Sequence, residues 1–166
     1  TNAESKVAGY AFTTLEPNLG TYYELIIADI PGLIEGASEG RGLGVKFLRH
    51  IERTKTFFHL ISAESESFAD DYLTIRKELG AYNADLLLKK EYVLLSKTDT
   101  VSSVEVKKKF AELKKMNPRV MAFSIHDLAS IRRIEKMLKE LLREKTEGRV
   151  SKDEAGKRET SNTVTE

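Results

Sequence analysis

The chain has 166 residues, room for one ordinary domain and little more. Hydrophobic residues make up 40% and charged residues 32%, a globular balance, and a formal net charge of +1 argues neither for nor against a nucleic-acid partner. Cysteine is absent, which excludes disulfides and thiolate metal sites and suits a reducing cytosol; no apolar run approaches the roughly 20 residues of a membrane span, and the opening residues show no secretory signal pattern.

Short apolar runs alternate with helical patterns, the signature of an α/β domain. Tyr22 to Ala28 (YYELIIA) predicts a strand that enters a sharp loop at Asp29-Ile30-Pro31-Gly32. Leu43, Phe47, Leu48 and Ile51 then recur at helical spacing after a glycine-rich stretch. Thr56 to Ser62 predicts a second, buried strand, and Phe68 to Leu79 a helix with Tyr72, Ile75 and Leu79 on one face. A third strand, Glu91 to Leu95, runs into Ser96-Lys97-Thr98-Asp99. Ser103 to Met116 predicts an amphipathic helix, with Val106, Phe110 and Leu113 on one side, and Pro118 stops it. Val120 to Phe123 predicts a fourth strand, and Ile131 to Leu142 a last helix with Ile131, Ile134, Met137, Leu138 and Leu141 as its stripe. From about Glu144 large apolar residues are almost absent, so residues 144–166 are expected to form a disordered polar tail or linker.

Three segments carry chemistry, and each adjoins a predicted strand, where open parallel sheets collect ligands. A carboxylate at a strand end such as Asp29 can hold hydrated Mg²⁺ beside a nucleoside triphosphate, and Gly32 lets a backbone N–H approach the terminal phosphate. The bland reading of the same residues is a tight turn. Ser96-Lys97-Thr98-Asp99 follows, with serine in the first place, the N/T-K-x-D form that recognises guanine: the aspartate accepts from the base N1–H and exocyclic amine while the lysine stem packs over the ring. Adenine offers no such donor pair, so the aspartate discriminates against it. Phe12-Thr13-Thr14-Leu15-Glu16, before Pro17-Asn18-Leu19-Gly20, places a threonine hydroxyl where it can complete a Mg²⁺ shell. By itself that stretch reads as a plain turn.

The runs Tyr10 to Gly20 (YAFTTLEPNLG), Ile27 to Gly44 (IADIPGLIEGASEGRGLG) and Phe47 to Arg53 (FLRHIER) closely resemble the Obg family of GTPases. The likeness covers roughly Lys6 to Leu142. It implies a Ras-like P-loop GTPase fold, a mostly parallel α/β sheet with helices on both faces. It also implies GTP or GDP as ligand and Mg²⁺ as cofactor. Thr14 and Asp29 would hold the metal, and Phe12 to Glu16 would line the nucleotide. Asp29, Ile30, Pro31 and Gly32 would open the second switch, and Ser96, Lys97, Thr98 and Asp99 would form the guanine loop. Ser124, Ile125 and His126 would form the last nucleotide loop. Leu33 stands where many GTPases have a water-orienting glutamine, which implies slow intrinsic hydrolysis. The resemblance further implies a monomeric, cytoplasmic, nucleotide-dependent switch on the rRNA and proteins of the large ribosomal subunit.

The sequence also departs from that pattern. No G-x-x-x-x-G-K-[ST] loop occurs in it; Gly44, for instance, is followed by Val45. In the family that loop and its central strand would precede Thr1, so the chain is expected to be a partial G domain over residues 1–143 that binds GTP weakly. Ser96 replaces the usual asparagine, Ile125 the usual alanine, and the short Thr21-to-Ala28 stretch is expected to clip the switch hairpin to a single bend. The rival expectation is a degenerate, non-catalytic binding module that keeps the fold alone. His50, His59 and His126 share no metal-ligand spacing, and Lys107 to Lys109 with Lys114 and Lys115 read as a solvated helix face that could touch RNA phosphates.

Overall fold

The computed structural model of the chain describes residues 18–29 and 51–161, the side chains of Asn18 and of residues beyond Gly148 excepted. The predicted helix around Leu43 to Leu48 lies outside the described residues, although Ile51 at its end is buried beside Leu79 and Leu86.

Strands β1 (Asn18–Tyr22) and β2 (Leu25–Asp29) pair antiparallel, with Tyr22 opposite Leu25 and Asn18 opposite Asp29. The expected single bend is therefore corrected to a complete hairpin with a two-residue turn. Tyr23 takes φ 52°, the positive value such turns demand. Glycine or asparagine normally supplies it, and a tyrosine there costs on the order of 1 kcal/mol. Without that sequence signal, the turn reads as continuous strand.

The second sheet is parallel, in the order β3 (Thr56–Ser62), β4 (Lys90–Ser96), β5 (Val120–Ala122). Helix α1 (Phe68–Tyr82) and a 3₁₀ turn at Ala84–Leu88 carry the crossover from β3 to β4; α2 (Ser103–Met116) carries that from β4 to β5. Ser102 caps α2 by accepting from the Glu105 N–H at 3.2 Å, one of the donors a helix start leaves unpaired. Central β4 is buried along most of its length, as expected of a strand covered on both faces. Val93 and Leu95 pack with Ile61, Phe68, Tyr72, Leu113 and Val120 in the main core, at about 1.5–3 kcal/mol per large side chain. Leu94 points to the opposite face.

Helix α3 spans Leu128–Ser161. Its stripe residues Met137 and Leu141 are buried, as the 3.6-residue period predicts. The helix nevertheless runs well past Leu142, so the polar segment expected to lack order is helical through Ser161. Its glutamates, lysines, arginines and alanine are strong helix formers, which sustains the helix where no apolar stripe remains. Lys90 at the start of β4 grips Glu144 at 2.6 Å, and the Lys145 ammonium donates to the Glu24 carbonyl at the hairpin turn.

At the amino end of β4 a buried polar cluster gathers on Glu91. Its carboxylate accepts from Tyr72 Oη at 3.1 Å, Arg76 Nη1 at 3.2 Å and Asn117 Nδ2 at 3.2 Å, and lies 3.2 Å from His59 Nδ1. Burial pushes this carboxyl up, but the His59 bond, the Arg76 and His59 charges and the Tyr72 hydroxyl outweigh it and hold it low. Burial raises the Tyr72 phenol in turn.

Candidate functional site

Parallel pairing aligns the carboxyl ends of the three strands. Ser62 lies opposite Ser96, and Leu95 opposite Ala122. The loops that follow, residues 63–67, 97–102 and 123–127, are thereby gathered at one edge of the sheet. Two of them contain predicted nucleotide residues.

The loop after β4 turns sharply at Lys97, whose φ of 55° reverses the chain straight out of the strand. Thr100 stabilises the turn, its N–H and hydroxyl both donating to the Lys97 carbonyl, at 3.2 and 2.8 Å. The Thr98 N–H reaches the Phe123 carbonyl at 3.4 Å, tying this loop to the one after β5. Asp99 is exposed to solvent. The Ser124 side chain and its own backbone N–H bond its carboxylate and, with smaller help from His126, hold it below the usual carboxylate range against a slight desolvation. A carboxylate kept ionised and presented at the surface is what two N–H donors of a purine edge require.

The loop after β5 is built around two buried serines. Ser124 is 2% and Ser130 1% exposed. The Ser124 N–H donates to Ser130 Oγ at 3.1 Å, and the Ser130 hydroxyl points to the carbonyls of Ser124 and Asp127, at 3.0 and 2.7 Å. The His126 N–H donates to Ser124 Oγ at 3.0 Å. Asp127 caps α3, its two carboxylate oxygens accepting from the Ala129 and Ser130 N–H groups. Ile125 stands out at the crest, 74% exposed.

Ser96, Lys97, Thr98 and Asp99 are thus brought together with Ser124, Ile125 and His126. Ser96, which stands where asparagine is usual, spends its hydroxyl on the Ile61 carbonyl at 3.1 Å. Asp29 ends β2 as an exposed carboxylate. Phe12, Thr13, Thr14, Leu15, Glu16, Ile30, Pro31 and Gly32 lie outside the described residues, as does His50. His59 serves the Glu91 cluster, and no group of three His, Cys, Asp or Glu side chains that could hold a metal occurs among the described residues.

The loop after β3 was not singled out by the sequence, yet it meets the guanine loop directly. Lys97 Nζ donates to Glu64 Oε2 at 2.6 Å, and this hydrogen bond holds the Glu64 carboxyl below its ordinary range. Lys109, expected on a solvated face, is 5% exposed instead. Its ammonium donates to the carbonyls of Ala63 and Ser65, at 2.6 and 2.9 Å, pairs with Glu105 at 2.7 Å and lies over the Phe68 ring. The charged run placed Lys109 with the other lysines, although its spacing of three from Val106 and four from Leu113 sets it on the apolar face of the helix; the position of the β3 loop supplies the carbonyls it meets there.

An open parallel sheet with its polar loops gathered at the strand carboxyl ends is the plan of the nucleotide-binding α/β domains, here of the Ras-like P-loop type. The sequence model of the family described as 50S ribosome-binding GTPase matches residues 1–98. The chain is 48% identical over 145 residues to the GTPase Obg of Pelagibacter ubique, covering 83% of this chain and 44% of that protein. To the GTPase Obg of Rickettsia massiliae it is 44% identical over 148 residues, 86% of this chain and 45% of the relative. With that of Lactobacillus johnsonii it shares 50% identity over 123 residues, 69% and 28% of the two chains. The chain belongs to the family of 50S ribosome-binding GTPases and carries an Obg-type GTPase domain. It spans less than half the length of these relatives. No described helix is long and apolar enough to cross a membrane.

Proposed function

We propose that this chain is the guanine-nucleotide part of an Obg-type GTPase, a Mg²⁺-dependent switch that binds GTP, hydrolyses it to GDP and acts on the large ribosomal subunit in the cytoplasm. The observation that carries the reading is the meeting of two loops. Asp99 presents an ionised carboxylate against the serine-braced turn at Ser124 to His126, and Thr98 ties the two together. In this reading Asp99 accepts from guanine N1–H and its amine, the Lys97 stem covers the ring, and a backbone N–H of Ser124 to His126 reaches the base oxygen. The Ser124 N–H is already engaged with Ser130, which leaves the Ile125 N–H as the free candidate of the crest.

The donor chemistry at β2 fits a hard cation. Mg²⁺ is held by one or two carboxylates plus phosphate oxygens and water rather than by a protein cage, and Asp29 is an exposed carboxylate oxygen donor at a strand end. Asp29 with Thr14 would hold the ion, which when bound neutralises charge on the β- and γ-phosphates. The hairpin β1–β2 joins the Thr14 and Asp29 segments directly, so a pull on either is transmitted through one short antiparallel ladder. Residues 1–143 are read as part of the G domain, and the helical segment from 144 as its polar connector.

The test is titration of the full-length gene product that carries this chain against fluorescent GDP and GTP in the presence of Mg²⁺. Saturable binding competed by guanine but not adenine nucleotides is expected. No binding would overturn the reading in favour of a module that keeps the fold without the chemistry. Co-sedimentation with 50S subunits in one nucleotide state and not the other tests the ribosomal part.

A further inference from the structure

We infer that Glu64 is a positioning residue of the guanine pocket, holding the Lys97 ammonium at the far side of the loop so that the lysine stem lies ready for the base, and that Lys109 fixes the segment that carries Glu64. This rests on the guanine-site reading above and adds to it a third loop, the one after β3.

Lys97 leaves β4 with a left-handed backbone, which sets the direction of its side chain. A lysine stem is flexible, and immobilising it on a ligand costs rotamer freedom. The 2.6 Å pair with Glu64 restrains the ammonium before any ligand arrives, so less of that freedom is lost on binding. With its charge already engaged, the lysine offers the ring its apolar methylenes, the part that packs over a flat base.

This restraint works only if Glu64 is itself anchored, and the surrounding bonds supply that. The Glu64 N–H donates to Ser62 Oγ at 3.2 Å, and the Ala63 N–H donates to the Ser96 carbonyl at 2.8 Å, stapling the ends of β3 and β4 together. Beyond Glu64, Ser65 and Ser67 both donate to Asp71 on the first turn of α1. Beneath it, the buried Lys109 ammonium holds the carbonyls on either side, those of Ala63 and Ser65. A lysine taken almost wholly out of water needs such partners, and it has found them on the loop that carries the Lys97 partner Glu64. The path from α2 to the base slot is therefore Lys109, the Ala63–Ser65 backbone, Glu64, Lys97.

Stopped-flow dissociation of fluorescent GDP tests this in the full-length gene product that carries this chain. Glu64→Gln is expected to release GDP about three- to fivefold faster, the upper range for an exposed ion pair, with an unchanged melting temperature. Glu64→Asp should recover part of the loss. Lys97→Met keeps the stem and removes the charge; in that background Glu64→Gln should have no further effect. Equal release rates in Glu64→Gln and its parent would overturn the inference alone. So would a full effect persisting in the Lys97→Met background, or a fall in melting temperature that accounts for the loss. A parent that binds no guanine nucleotide would overturn the guanine-site reading and this inference with it.

Discussion

Replacing Glu91 by leucine removes the acceptor at the centre of the buried cluster. Four donors lose it: Tyr72 Oη, Arg76 Nη1, Asn117 Nδ2 and, in the tautomer that donates, His59 Nδ1. They do not suffer equally. Arg76 keeps the Leu87 carbonyl at 3.3 Å, and its side chain is 26% exposed, so water can replace the carboxylate. The Tyr72 hydroxyl is left without an acceptor and Asn117 Nδ2 keeps only the Tyr72 oxygen at 3.5 Å, both in a dry setting. Two to three poorly satisfied groups at about 1–3 kcal/mol each, less the gain from burying an apolar side chain, give a loss of about 3–5 kcal/mol. Glu91→Gln keeps the shape and one acceptor and loses only charge assistance, about 1–2 kcal/mol. Urea unfolding measures both, and the leucine variant should melt about 10 °C lower. Because the folded carboxyl is held below the ordinary value of 4.5, its contribution is present above that pH and lost as pH falls through the lower folded value. The glutamine variant should lack this acid-limb loss. A leucine variant within about 1 kcal/mol of the parent would refute the reasoning. The cluster sits at the amino end of β4, away from the Ser96–Asp99 loop, so GDP release from folded Glu91→Gln should match the parent.

Asp99→Asn replaces a double acceptor by one acceptor and one donor, and should weaken GDP binding about tenfold to a hundredfold while favouring xanthosine diphosphate, whose edge offers one of each; equilibrium competition between the two nucleotides checks it. Because Asp99 is held below the usual carboxylate range, guanine selectivity should be intact above its ordinary value of 3.8 and lost only as pH falls through the lower folded value, read from fluorescent-GDP affinity at stepped pH. Lys109→Met removes this donor from the buried Ala63 carbonyl and the half-buried Ser65 carbonyl and should cost about 2–3 kcal/mol in urea unfolding, with Glu105 turning to solvent. Ser130→Ala removes the hydroxyl that braces Ser124, and should cost about 1–2 kcal/mol and speed GDP release; unchanged stability would show that the turn stands without it.

Much of this protein could be read from the chain alone. Continuous apolar runs and the 3.6-residue period place β3, α2 and most of β4 and α1 at the bounds the structure shows, because an apolar run marks a strand and a regular stripe marks the buried face of a helix. The long runs from Tyr10 to Arg53 declare the family before any coordinate is known, since a nucleotide site is built on contiguous loops. Local signals failed where the decisive partner is distant in sequence or the residue unusual for its place. Tyr23 makes a turn with no turn residue, and α3 continues where the apolar stripe has stopped. Glu64 and Lys97 are 33 positions apart, and Lys109 is 46 from the carbonyl of Ala63. Helical spacing sets Lys109, unlike Lys107 and Lys108, on the face of Val106, Phe110 and Leu113, but the window of neighbours does not show the carbonyls that make a buried ammonium tolerable there. Parallel pairing, which sets the ends of β3, β4 and β5 side by side, brings the three loops together and turns one lysine of a charged run into a buried post beneath the guanine loop.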